Sequence, residues 1–453
     1  MSAKKAKTKA KAKAPARGKR AKPKKRSRPL PPEYNILLTA TLCLLALGAV
    51  MVFSASSTTR ILQNGGLSDS AFYLKRTLLF GAVGLTIMWF ASRHGLRVIR
   101  DLTPLLLGGS IFLLLAVLVA GTEVNGASRW IGGGFLQIQP SELTKVALIL
   151  YGADLLSRKP VRVRSLEGMM PFLLVVGASC LLIMAQPDMG TTMVICFSVA
   201  ATLVAAGARP VDLGKIALVI GGLALLMAVV EPYRMARLTS FLHPTADASG
   251  AGFQAAQAKI ALGSGGIFGD GLGNGVQKAF YLPEAHTDMI TAVIGEELGF
   301  VGIAGVVGLF AMFGYAGLKT AQKAKDAYGK ILVTGLTSLV LVQASINLFA
   351  VMGMAPLTGV PLPFVSYGNS SLMATLLAVG LILNVARGGS AKAARASTPT
   401  RAGKLRAIEG GRSPARQGRK RADGVRKAKG SGGGGGNRGA RRARHGGRRR
   451  ASG

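Results

Sequence analysis

The sequence predicts an all-α fold: a polytopic membrane protein with about ten transmembrane helices and a long extracytoplasmic loop between the seventh and eighth. Three observations lead there. Apolar residues make up 49% of the 453 residues and mean hydropathy is positive, yet the formal net charge is +38. That charge sits at the ends. Residues 1–28 hold 14 Lys or Arg and no acid, and residues 387–453 hold 21 against Glu409 and Asp423, which leaves 22 basic and 17 acidic residues between them. The near-neutral middle is a series of apolar segments, most of them close to the roughly 20 helical residues that cross a bilayer's hydrocarbon.

In order, the segments run from Ile36 to Phe53, Thr77 to Ser92, Leu102 to Thr122, Leu143 to Leu156, Met169 to Gln186, Met189 to Ala208, Ile216 to Val230, Met289 to Leu318, Ile331 to Met354 and Leu372 to Ala386. The fourth and the last are short. The first follows a basic arm and has no small-residue cleavage site, so it is expected to remain as the first span. Lys and Arg near span ends stay in the cytoplasm. Arg93, Arg97 and Arg100, then Arg158, Lys159, Arg162 and Arg164, then Arg209 and Lys215, then Lys319, Lys323, Lys325 and Lys330 fall in alternate loops. Both termini are therefore expected inside and the 231–287 loop outside. The predicted organisation is a basic tail at 1–33, a membrane domain at 34–388 containing that loop, and a Gly/Arg-rich tail at 389–453.

Neither tail can bury a core, so both are expected to be disordered. Their charge suits anionic lipid or partner contact and carries no sign of specific nucleic-acid recognition. Cys43, Cys180 and Cys196 fall inside apolar spans and read as small buried hydrophobes. There is no zinc or redox motif. His94 and His445 lie in basic inner segments, and Trp89 near a span end reads as an interfacial anchor.

The outer segments carry the candidate chemistry. Asp288 stands where the long loop meets the eighth span, preceded by His286 and followed by Glu296 and Glu297. An acid at a bilayer boundary is costly and marks a functional site, although Asp is also a favoured helix N-cap. Upstream, the loop holds Arg234 and Arg237 and then glycines at 263, 265, 266, 269, 271 and 273. Interleaved Ile, Phe and Leu make the latter a packed turn more than a flexible linker, and no Gly-Lys-Ser/Thr ends it as in a nucleotide phosphate loop. Arg129 adjoins Trp130. In Gln139-Pro-Ser-Glu-Leu-Thr-Lys145, Ser141 is a plausible cap, and Glu142 and Lys145 share a helix face as a neutralising pair at the membrane edge. Asp188 has the same ambiguity between cap and site as Asp288. Pro361 to Ser371, with Ser366 and Ser370, is an uncharged hydroxyl-rich turn that can line a lipid or sugar site or simply satisfy a helix start.

Taken together and in this order, Asn125 to Trp130, Gln139 to Lys145, Gln186-Pro-Asp-Met-Gly-Thr191, the glycine-rich loop, Leu282 to Leu298 and Pro361 to Ser371 resemble the SEDS family of peptidoglycan glycosyltransferases, the FtsW and RodA type. The resemblance covers about residues 34–388 and is closer to the division type, through Gly-Val-Gln-Lys278 and Ala285. Asn369 and Met289 depart from the family pattern, which has Gly and Phe there. The resemblance implies polymerisation of lipid II into undecaprenyl-linked glycan with release of undecaprenyl diphosphate. Asp288 would be the catalytic base. Arg129, Glu142, Lys145, Asp188, Arg234, Arg237, His286, Glu296, Ser366 and Ser370 would bind substrate or organise the cavity. No resident cofactor is evident, though the diphosphate leaves room for a divalent cation. A class B penicillin-binding protein and other division or elongation proteins are the implied partners, and the bacterial cytoplasmic membrane, at the septum, the implied location. Two rivals stand beside this reading: a lipid II flippase or other transporter, which should show related halves, and a non-catalytic division scaffold, which gives no reason for an acid and several cations on one outer face.

Overall fold

The structure, a computed structural model, describes residues 30–63, 71–124, 127–133, 137–158, 160, 162–230, 241, 251–282 and 285–390. Arg234, Arg237 and nearly all of both tails lie outside them. The helices are α1 (Pro32–Gln63), α2 (Phe72–Arg93), α3 (Leu96–Ala120), α4 (Pro140–Arg158), α5 (Leu166–Met184), α6 (Met189–Ala206), α7 (Pro210–Val230), α8 (Ala251–Ser264), α9 (Gln277–Phe280), α10 (Ile290–Gln322), α11 (Ala327–Val351) and α12 (Asn369–Ala386). Each of the ten expected segments is a long helix, and eight are long and apolar enough to cross a membrane. The exceptions are α4 and α7. In α4 the cause is charge, because Glu142, Lys145, Asp154 and Arg158 all lie in one 19-residue helix. Between α3 and α4 the all-α pattern admits one small antiparallel hairpin, β1 (Thr122–Val124) with β2 (Ala127–Trp130).

Helices α11 and α12 form the centre, with most of their residues buried, whereas α1, α2, α3, α5 and α6 bury less than half of theirs. Those outer helices expose Leu105, Phe112, Leu174 and Phe197, a surface suited to lipid tails and not to water. The cysteines share that surface more than expected: Cys43 is exposed and Cys180 and Cys196 are half-buried, since they fall on outward faces of α1, α5 and α6. Close helix contact rests on glycine. A Cβ at Gly84 of α2 would lie 2.5 Å from Leu376 Cδ1 of α12, and one at Gly380 would lie 2.6 Å from the Met88 carbonyl.

Helix α10 is not the single continuous span expected from Met289 to Leu318. Gly299, at φ 65° and ψ −161°, breaks it. The loop after α8 fills the break: the Glu296 and Glu297 carbonyls accept from the Asp270 and Gly271 amides, at 2.9 and 3.1 Å, and the Phe300 and Val301 amides donate to the Gly266 and Ile267 carbonyls, at 2.9 and 3.1 Å. All four backbone groups at the break are thus satisfied inside the protein, as an apolar surrounding demands. The glycine-rich run is therefore a packed turn, and residues 251–280 contribute α8 and α9 where one long loop was expected.

Candidate functional site

The site is built around a polar stripe on α11. Gln343 and Asn347, four residues apart, lie on one face of a mostly apolar helix, both buried. Asn347 Nδ2 donates to the Asp288 carbonyl and to the Val360 carbonyl, each at 2.8 Å, and its Oδ1 accepts from Thr291 Oγ1 at 2.6 Å. One turn away, Gln343 Nε2 donates to the Pro361 carbonyl at 3.1 Å, and Gln343 Oε1 accepts from Lys145 Nζ at 2.9 Å. Two amides thereby tie α4, the start of α10 and the turn before α12 to one helix. Neither was among the expected site residues, although two amides spaced by four in an apolar span are a legible signal.

Asp288 is half-buried beside this arrangement, with Thr287 Oγ1 at 3.2 Å from its Oδ1. It does not occupy the N-cap position of α10. That position is Met289 and has no side-chain cap. Gly359, at φ +71°, brings its backbone beside Asp288 Oδ2, and a Cβ there would lie 3.9 Å from that oxygen. His286 anchors the same turn: its ring centroid is 4.4 Å from Tyr73 and 5.5 Å from Tyr367, and its carbonyl accepts from the Tyr367 amide at 2.9 Å. One turn along α2 from Tyr73, the buried Arg76 meets Asn369, whose amide oxygen in the satisfied orientation accepts from Nε at 2.9 Å and Nη2 at 3.2 Å. Arg76 is a cation that motif reading missed, and Asn369, the departure from the family pattern, is what it touches.

Glu142 and Lys145 form the expected pair at 2.9 Å, but each side chain is only 3% exposed, so the pair is internal and not at an edge. Ser141 does not cap α4. Pro140 takes the first helical position, which puts Ser141 inside the first turn, where its buried hydroxyl has no partner. Asp188 is a cap: Oδ1 accepts from the Thr191 amide at 3.0 Å and Oδ2 from Thr191 Oγ1 at 2.9 Å, with Gln139 Nε2 at 3.4 Å. Arg129 donates to the Gln186 carbonyl at 3.1 Å and to the Pro187 carbonyl, holding the chain that enters α6. Ser366 Oγ accepts from the Leu362 amide at 2.8 Å, and Ser370 Oγ from the Gln139 amide at 3.1 Å. Glu296 stands apart from Asp288 in a second cluster. Its Oε1 accepts from the Val276 and Gln277 amides at 2.7 and 3.0 Å, while Glu297, Lys278 and Ser54 form a buried ion pair with a bridging hydroxyl. Among the described residues, no three His, Cys, Asp or Glu side chains gather as a metal site.

The family described as cell cycle protein, that of FtsW, RodA and SpoVE, matches residues 35–390. The chain belongs to this family. It is 42% identical to stage V sporulation protein E of Bacillus subtilis, over 78% of this chain and 96% of that relative. To the probable peptidoglycan glycosyltransferase FtsW of Trichlorobacter lovleyi it is 40% identical, over 79% of this chain and 94% of the relative. Among solved structures, a peptidoglycan synthase complex that coordinates polymerization and crosslinking matches with TM-score 0.63 and 28% identity, over 78% of this chain and 97% of that one. The rod shape determining protein RodA of Thermus thermophilus matches with TM-score 0.58 and 29% identity, over 78% and 96%. The family match at residues 35–390 spans Asp288, Asn347 and Lys145.

Proposed function

We propose that this chain, a peptidoglycan glycosyltransferase of the FtsW/RodA family, polymerises lipid II at Asp288. The Asp288 carboxylate takes the proton of the acceptor sugar's 4-hydroxyl as that oxygen bonds to the donor's anomeric carbon. The bond from that carbon to the diphosphate breaks, and the electron pair leaves on undecaprenyl diphosphate. Such a displacement needs a positioned base and positive charge at the leaving group. The observation that carries the reading is the hold on Asp288: its carbonyl is fixed by Asn347, and the residue is half-buried beside the α11 stripe. Arg76 is a buried cation one turn along α2 from Tyr73, which packs against Tyr367 and His286, and it suits the diphosphate. Lys145 is neutralised by Glu142 and bonded to Gln343, so its part is to organise the cavity floor.

In this reading Asp288 faces the outside of the cytoplasmic membrane, both termini lie in the cytoplasm, and the enzyme works at the septum beside a class B penicillin-binding protein. The break in α10 is a feature that transporters also use. Here its backbone groups are closed by residues 266–271, which favours the polymerase over a flippase. The deciding experiment incubates purified protein with labelled lipid II. Glycan chains that vanish in Asp288→Asn support the reading, and intact protein that makes none with its transpeptidase present sinks it.

A further inference from the structure

At the far end of α12 from the turn before Asn369, about 27 Å along an 18-residue helix, lies an open cavity of about 520 Å³. Ser92, Arg93, His94 and Gly95 from the end of α2 line one side, and Asn384 and Arg387 to Gly389 from the end of α12 line the other. Among the described residues no carboxylate lines it. Lys325 adds a third cation at the rim, its Nζ donating to the Gly388 carbonyl at 2.6 Å. The nearby acid, Asp326, is engaged by Ser390 Oγ at 2.6 Å and the Gly329 amide at 2.8 Å. Two helix C-termini would ordinarily present carbonyls that repel an anion. Here Asn384 Nδ2 donates to the Ala91 carbonyl at 2.7 Å and to the His94 carbonyl, and the Leu383, Asn384 and Val385 carbonyls of α12 accept from the Arg387, Gly389 and Gly388 amides, so these carbonyls are hydrogen-bonded within the protein.

The surroundings say what kind of anion fits. Arg93 lies over the Trp89 ring at 4.5 Å and Arg387 over the Tyr34 ring at 5.1 Å. Aromatic rings carrying cations are what the headgroup level of a bilayer collects. Immediately beside the cavity, α2 exposes Trp89 and Phe90, an apolar wall for acyl chains that a free phosphate would not use. We propose that this cavity is a binding site for the phosphodiester headgroup of an anionic phospholipid, held between Arg93 and Arg387. It clamps α2 to α12, the two helices that also carry Arg76 and Asn369 at the opposite end.

The test uses the full chain in detergent with photoreactive phosphatidylglycerol. Crosslinks are expected in 92–95 and 384–389, and their confinement to the terminal tails would overturn the site. Because this measurement needs no substitution, it stands whether or not the variants fold. By titration with phosphatidylglycerol, Arg93→Gln/Arg387→Gln should bind roughly thirtyfold more weakly, the worth of two cations near a membrane surface. The charge-matched Arg97→Gln/Lys215→Gln should bind as the unaltered chain does. An equal loss in both pairs would mean that net charge alone attracts the lipid. Displacement of the lipid by millimolar inorganic phosphate would assign the cavity to a small anion and overturn the lipid proposal.

Discussion

Backbone and side chain of Asp288 have separate duties, and substitutions can separate them. Asp288→Asn keeps shape but removes the base, so glycan synthesis should fall by about 10²–10⁴-fold, the usual worth of a positioned general base, while thermal unfolding stays where it was. Retained synthesis would show that another group takes the proton. Asn347→Ala attacks the backbone instead. It leaves the Asp288 and Val360 carbonyls and the Thr291 hydroxyl without their partner, at a cost of about 1–3 kcal/mol for each buried group left unsatisfied. A lowered unfolding temperature together with lowered kcat is expected, and normal values for both would remove Asn347 from the site. The Glu142–Lys145 pair calls for a different design, because deleting one member of a buried pair strands the other. Lys145→Met should cost about 3–5 kcal/mol, whereas Glu142→Gln/Lys145→Met should recover much of that stability. If the double variant is stable and fully active, the pair's charge has no part in catalysis.

Among the elements, α10 shows how far local sequence reaches. Its apolar length is plain, and so is that of the other nine long helices, whose ends fall within about six residues of the apolar runs except at α1, which continues ten residues past Phe53 to Gln63. The break is not plain, because Gly295, Gly299, Gly302, Gly305 and Gly308 look alike in sequence and only the packed 265–271 turn distinguishes Gly299. The same limit applies to α4, where a serine followed by an apolar run suggested a cap and Pro140 had already taken the helix start. The acids and cations of the motifs were legible as outward signs of a site. Their division into two clusters was not, since Glu296 is only eight positions from Asp288 yet faces Val276 and Gln277. Gly299→Ala tests the break directly. The residue's φ/ψ belongs almost to glycine alone, and a Cβ would lie 2.6 Å from the Ile267 carbonyl. The cost should be about 1–3 kcal/mol of backbone strain or more. A variant that unfolds like the unaltered chain in detergent would mean that the turn moves aside freely.

For the whole molecule, the question is whether chemistry and charge are separable. The hydrogen bonds described above for Asp288, Asn347, Gln343 and Lys145 are made within residues 30–390, and the family match ends at residue 390. The 35 basic residues of 1–28 and 387–453 lie almost entirely beyond that boundary. They carry no motif of the site. Their pull on anionic lipid is long-ranged only to about 8 Å at physiological ionic strength, so it acts at the membrane surface and is weakened by salt. A chain trimmed to residues 30–390 should therefore insert, unfold at the same temperature and polymerise lipid II in detergent at nearly the full rate. Its recruitment or lipid association in cells should weaken. Trimming also leaves Arg387 and the cavity between α2 and α12 in place, so crosslinking of phosphatidylglycerol there should persist when tail binding is gone. A trimmed protein that inserts and folds but makes no glycan would show that the tails take part in the reaction itself.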